Sequence, residues 1–162
     1  MGKEAKTNAM RMLERAKIAY EAHEYPHEEG VAVDGVRVAE SMGQNPDCVF
    51  KTLVTQGADK NYYVFVIPVA ATLDLKKAAR SVGVKGVAMS HVADLNKITG
   101  YVRGGCSPVG MKKQFVTRFD ESCLDKPTIF VSAGRIGTQI EASPAGLLQA
   151  SRGETASLTM EE

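Results

Sequence analysis

Residues 101–113 read Tyr-Val-Arg-Gly-Gly-Cys-Ser-Pro-Val-Gly-Met-Lys-Lys, and they concentrate more chemistry than any other stretch of the chain. Gly104 and Gly105 are adjacent, so backbone N–H groups there are unshielded by side chains and a ligand can approach them closely. Arg103, Lys112 and Lys113 flank the pair. No Asp or Glu occurs from Lys97 to Phe119, a window that also holds Arg118. Cations around bare amides suit a phosphate or a carbonyl oxygen that gains negative charge. A tight turn between strands, stiffened by Pro108, accounts for the same glycines without a ligand. No Gly-Lys-Ser/Thr follows the loop and it does not read GxGxxG, so neither nucleotide-binding pattern applies.

Lys51 interrupts Val-Phe-Lys-Thr-Leu-Val at 49–54. On a strand it shares a face with Val49 and Leu53, opposite Phe50, Thr52 and Val54. Its stem either snorkels along that apolar face or carries an ammonium into a pocket, where a point charge suits a phosphate or an oxyanion. Ser132 and Gly134 lie in Ser-Ala-Gly-Arg-Ile-Gly at 132–137, which reads as a binding turn at a strand end or as ordinary hairpin chemistry. Tyr25 and Tyr101 are candidates for stacking on a base or for partial burial. Cys106 beside cations could form a thiolate, but a Cys–His pair needs a histidine in space, and His23, His27 and His91 are all remote in sequence. A small buried thiol is the simpler reading. His23 and His27 are four apart, yet Pro26 opposes a helix between them, so the spacing is a poor metal signal. Glu28 and Glu29 are adjacent and face apart in an extended chain, so no acid–base pair of carboxylates stands out.

These groups must be positioned by elements the pattern outlines. Thr7 caps a helix running to about residue 20, and residues 34–42 form another, stopped by Gly43. Strands at 49–55 and 62–67 are joined by a hairpin loop at 57–61. A helix over 73–82 ends at Gly83, and a brief strand falls at 84–88. A helix capped by Ser90 ends at Gly100. The glycine loop follows, then a short turn at 121–124. Strands at 127–132 and 138–142 flank a turn, and a helix opened by Pro144 closes near Gly153. Hairpins with irregular helix spacing predict an α/β (α+β) chain built on one curved, mixed, mostly antiparallel sheet that closes toward a barrel.

The 162 residues, 44% apolar and 24% charged, fit one domain spanning 1–162 with a sizeable core. A net charge of +1 hides segregation: residues 21–36 carry Glu21, Glu24, Glu28, Glu29 and Asp34 and no Lys or Arg. A local basic face beside an acidic one allows a small nucleic-acid footprint. Cys48, Cys106 and Cys123 match neither a disulfide framework, a zinc knuckle nor CxxC, which favours a reducing, cytoplasmic setting. The opening residues lack an apolar signal core, and no apolar run approaches about 18 residues. Gly2 lacks a Ser or Thr at position 6, so myristoylation is not expected.

Taken together, the chain resembles the YbaK/EbsC family of bacterial deacylases that clear cysteine wrongly attached to proline tRNA. The matching pieces are Thr-Asn-Ala-Met-Arg-Met-Leu at 7–13, Val-Phe-Lys-Thr-Leu at 49–53, Gly-Tyr-Val-Arg-Gly-Gly-Cys-Ser-Pro-Val-Gly-Met-Lys-Lys at 100–113, and Ser-Ala-Gly-Arg-Ile-Gly-Thr-Gln-Ile-Glu at 132–141. The likeness spans nearly the whole chain, and the combination in this order is specific. It implies the fold of the YbaK and prolyl-tRNA synthetase-associated domains, a barrel-like mixed sheet surrounded by helices. It also implies Lys51, Gly104 and Gly105 as catalytic groups, with Tyr25, Thr52, Ser107, Ser132 and Gly134 as substrate contacts; Arg103 joins them from the loop's own charge. Some relatives carry a basic residue where Ile136 stands and an aspartate where Gln139 stands. The implied reaction is substrate-assisted: the cysteine's thiol attacks its own ester. The expected substrate is the acceptor end of mischarged Cys-tRNA(Pro), with Cys-tRNA(Cys) as a second, and prolyl-tRNA synthetase is a candidate partner. No cofactor, metal, DNA or membrane partner is expected. The alternatives are an editing enzyme for another amino acid such as alanine on proline tRNA, a non-catalytic module for the acceptor end, and a small-molecule thiol hydrolase.

Overall fold

The computed structural model describes residues 6–161, so the expectations drawn from residues 1–5 lie outside it. In chain order it contains α1 (Asn8–Arg15), β1 (Glu21–Glu24), α2 (Gly35–Ser41), β2 (Phe50–Gly57), β3 (Tyr62–Pro68), α3 (Leu75–Val82), β4 (Val87–Met89) and α4 (Val92–Thr99). Then follow β5 (Val116–Asp120), β6 (Ile129–Arg135), β7 (Thr138–Ala142), α5 (Pro144–Ser151) and β8 (Glu154–Ala156). Short 3-10 turns occupy Pro46–Cys48 and Glu121–Asp125.

The strands form two sheets rather than the single closing sheet expected. One is ordered β1-β7-β6 and is wholly antiparallel; the other is ordered β4-β2-β3-β5-β8. In the second, β4, β2 and β3 pair antiparallel while β3, β5 and β8 run parallel. A lone parallel bridge, Val49 to Phe130, joins the two sheets. β6 pairs with β7 on one edge, and among the described residues its other edge meets the second sheet only at that bridge, so the two sheets do not close into a barrel. Mixed, mostly antiparallel pairing was expected and is found.

Alternation along β2 and β3 assigns their faces. Phe50, Val54, Val64 and Val66 enter the core shared with Ile129, Val131 and Ile140 of the other sheet and with Leu13 of α1. Tyr63, Phe65 and Ile67 pack on the opposite face with Leu73, Ala78 and Leu158. β3 is therefore buried on both faces, which explains its continuous apolar run.

Thr7 caps α1 by accepting from the Met10 N–H, but the helix stops at Arg15, short of residue 20, because Lys17 turns left-handed at φ 61°. The cap position of α4 is His91, one residue later than expected, since Ser90 still donates its N–H to Val54. β1, β5 and β8 are not foreshadowed by local pattern. Each is short, β1 and β8 are at least partly exposed throughout, and all three are recruited by partners distant in the chain. No helix among the described residues is long and apolar enough to cross a membrane.

Candidate active site

A cavity of about 610 Å³ opens where the start of β2, the segment after β1, the glycine loop and the facing ends of β6 and β7 meet. Lys51 and Thr52 reach it from β2, Tyr25 from the β1 exit, Arg103 and Gly104 from the loop, and Ser132 from β6. Four stretches far apart in sequence thus converge on one hollow. A second hollow of about 480 Å³ lies at the far end of β2, bordered by Gln56, Lys60, Tyr62, Ser90 and His91; none of the sequence-predicted site residues borders it.

Lys51 is half-buried, and among the described residues its ammonium has no hydrogen bond or ion pair. Burial lowers its pKa below that of an ordinary lysine, and the charge of Asp34, which also lines the cavity, pulls in the opposite direction. A desolvated cation with no protein partner is a receptor for negative charge. Beside it the Thr52 hydroxyl is buried and likewise without a partner.

The glycine loop divides its labour. Gly104 sits at φ +83°, and a side chain there would run into Ala32 of the segment after β1 and touch Ile136. Among the described residues its N–H has no acceptor, and the same holds for the Cys106 N–H. The Gly105 N–H, in contrast, donates to the Val102 carbonyl at 2.9 Å and closes the turn. Gly105 also packs against the backbone of Arg135 and Ile136, where a Cβ would come within 2.9 Å. It is absent from the cavity wall, so its amide is not placed to hold a ligand as expected. Ser107 and Gly134 also lie behind the wall. The Ser107 hydroxyl is fully buried and accepts from Val109 N–H at 3.3 Å. Gly134 forms the bulge that breaks register between β6 and β7, and its N–H donates to the Ser132 hydroxyl at 3.2 Å. Gly134 thus fixes Ser132 at the cavity edge.

Burial and bonding distinguish the remaining candidates. Cys106 lines the cavity, but burial pushes its thiol up to about 12, so it stays protonated and is a poor nucleophile near neutrality. Tyr101 is buried in the core and donates to the Val109 carbonyl at 2.7 Å, which removes it as a stacking platform. Tyr25 is also buried but borders the cavity. His23 bonds to Glu141 at 2.9 Å and His27 to the Tyr25 carbonyl at 3.1 Å, so the two histidines serve different partners. Of the basic window only Arg103 reaches the cavity; Lys112 and Lys113 are exposed elsewhere, and Arg118 donates to the Ser81 and Thr117 carbonyls.

Asp34 and Gln139 also shape the wall. Asp34 had been one member of an acidic run, but its cap position at α2 brings it to the wall. Gln139 is buried in the wall and exchanges amide hydrogen bonds with Gln44, 2.8 Å one way and 3.1 Å the other. The signal for Asp34 is its place as a capping residue before an apolar helical pattern, and that for Gln139 is the departure from relatives that carry an aspartate there.

Residues 30–150 match the aminoacyl-tRNA editing domain family. A protein of Enterococcus faecalis named as a candidate Cys-tRNA(Pro)/Cys-tRNA(Cys) deacylase, EbsC, is 46% identical over 157 residues, covering 97% of this chain and 95% of its own length. A crystal structure described as that of a candidate trans-editing enzyme for prolyl tRNA synthetase superposes with a TM-score of 0.79 at 24% identity, over 94% of this chain and 93% of that one. A hypothetical protein superposes with a TM-score of 0.84 at 19% identity, over 95% and 100% of the two chains. At those two identities the likeness is one of fold.

Proposed function

The chain belongs to the aminoacyl-tRNA editing domain family, and from that premise we propose that it is a trans-acting deacylase that releases cysteine from mischarged proline tRNA, and from cysteine tRNA as well. The observation that carries this reading is the cavity itself: a half-buried ammonium and a Gly104 amide, both without a protein partner among the described residues, share one wall with a protonated Cys106. Such a site can orient and polarise an ester but offers no strong nucleophile of its own.

The substrate then supplies the nucleophile. Its thiol sulfur bonds to the ester carbonyl carbon, the bond to the ribose oxygen breaks, and the thiol proton passes to that oxygen. Free tRNA leaves with a cyclic thioester, which water opens. The Gly104 N–H holds the carbonyl oxygen as charge builds on it. Lys51 positions the terminal phosphate and 3′ end, Arg103 takes a backbone phosphate at the rim, and Tyr25, Thr52 and Ser132 border the aminoacyl group. Selectivity follows from chemistry, because serine and alanine lack the thiol, whereas a pocket alone separates small side chains poorly.

A deacylation panel of cysteinyl-, alanyl-, seryl- and prolyl-tRNA tests the proposal, with release expected for cysteine alone. Equal release of alanine would remove the thiol from the mechanism. Tight acceptor-end binding without cleavage would make the chain a binding module, and activity on free cysteine esters that ignores tRNA would make it a small-molecule hydrolase. Prolyl-tRNA synthetase is the partner this substrate implies, since it generates the error; acceleration of cleavage on adding the synthetase is the expected result.

A further inference from the structure

The carboxylates of segment 21–36 have no part in the chemistry above, yet one of them reaches the cavity. Among the described residues Asp34 is the single carboxylate on that wall, where Lys51 and Arg103 are the cations. It is exposed at the mouth and its Oδ2 accepts from the Arg37 N–H at a long 3.3 Å, which leaves acceptor capacity on both oxygens. Its charge is felt by Lys51, but the two do not form an ion pair. The Gln139 carbonyl, a neutral acceptor on the wall, already accepts from Gln44 at 2.8 Å.

An aminoacyl ester presents opposite charges at its two ends. The tRNA side carries phosphate, which suits Lys51 and Arg103. The amino-acid side carries an α-ammonium, for which cations are repulsive and a carboxylate is complementary. We propose that Asp34 reads the substrate's α-ammonium, so that the site accepts free aminoacyl esters and rejects those whose amine is blocked. The inference rests on the deacylase reading and assigns one specificity contact within it.

Asp34→Asn separates this role from helix capping, because asparagine caps a helix as well as aspartate does. Wild type should cleave cysteinyl-tRNA roughly 10- to 100-fold better in kcat/KM than N-acetyl-cysteinyl-tRNA, the size of a lost charged hydrogen bond. Asp34→Asn should lose that factor on the free amine, mainly through KM, and leave the acetylated substrate unchanged. Equal cleavage of both substrates by wild type, or an equal loss on both in the variant, would overturn the assignment. Binding of a non-cleavable adenosine 3′-amide of cysteine and of its N-acetyl form gives a second readout that needs no turnover. A preference for the free amine of the same size, abolished in Asp34→Asn, supports the contact even if no tRNA is cleaved; equal affinities refute it. Absence of cleavage by wild type with that binding preference intact would refute the deacylase reading alone.

Discussion

Replacing Lys51 with methionine should separate activity from stability. Methionine keeps an unbranched stem on the strand face shared with Val49 and Leu53 and removes the ammonium. If that ammonium positions the charged end of the substrate through the reaction, its loss should lower kcat/KM by about 10²- to 10³-fold, the range for removing one preorganised electrostatic contact. Stability should move the other way or not at all. Burial lowers the folded pKa of Lys51 below its ordinary value of 10.5, so near neutral pH the charged side chain disfavours the native state. That penalty is present below the lowered folded pKa and is relieved as pH rises through it. Removing a half-exposed charge with no partner should therefore change stability by no more than about 0.5 kcal/mol toward unfolding, and otherwise stabilise. For a chain of this size that is a melting point within about 2 °C of wild type, or higher. Single-turnover cleavage of cysteinyl-tRNA and a thermal melt measure the two quantities. A rate within about tenfold of wild type would remove Lys51 from the site. A melting point lower by more than about 4 °C would show that its role is packing.

Cys106→Ala should retain most activity, since the thiol is buried and protonated; a loss above roughly 10²-fold in single-turnover rate would point to covalent catalysis by the enzyme. Gly105→Ala should destabilise by about 1–3 kcal/mol because its Cβ meets the Arg135 backbone, and an unchanged urea midpoint would refute that close approach. The Thr128 hydroxyl, 2.6 Å from Glu141, and secondly His23 hold the Glu141 carboxyl below its ordinary 4.5. A depressed folded pKa stabilises above the unfolded value and the benefit is lost as pH falls through the folded one. Thr128→Val should then weaken the protein near neutrality and converge with wild type in acid, and parallel stability curves from about pH 7 to pH 2 would contradict this. Affinity for tRNA should fall linearly in log–log form as salt rises, through Arg103 and the exposed Lys112 and Lys113; a flat salt response would exclude backbone contacts.

Local pattern alone carried the helices with clear caps. Thr7 before α1, Gly83 after α3 and Gly100 after α4 perform the roles their types predict, because capping is decided within one turn of chain. The β2–β3 hairpin was equally legible, since alternation and a polar loop are local signals. β1, β5 and β8 were not, because a strand of three to five residues is defined by the neighbour it pairs with, and those neighbours lie far along the chain.

The site divides along the same line. Residue type marked Lys51, the glycine pair and Ser132 as groups able to do chemistry, and their order along the chain suggested the family. Type could not say which amide of the pair was free. That depended on Val102 taking the Gly105 N–H and on Ile136 and Arg135 crowding its α-carbon. Nor could it distinguish the one acidic residue at the cavity from its neighbours in the run, or the one cation of the basic window that reaches it. Sequence determined which functional groups were available; the tertiary structure decided which of them remained unpaired and faced a common space, because hydrogen-bond satisfaction and burial arise between segments and not within them.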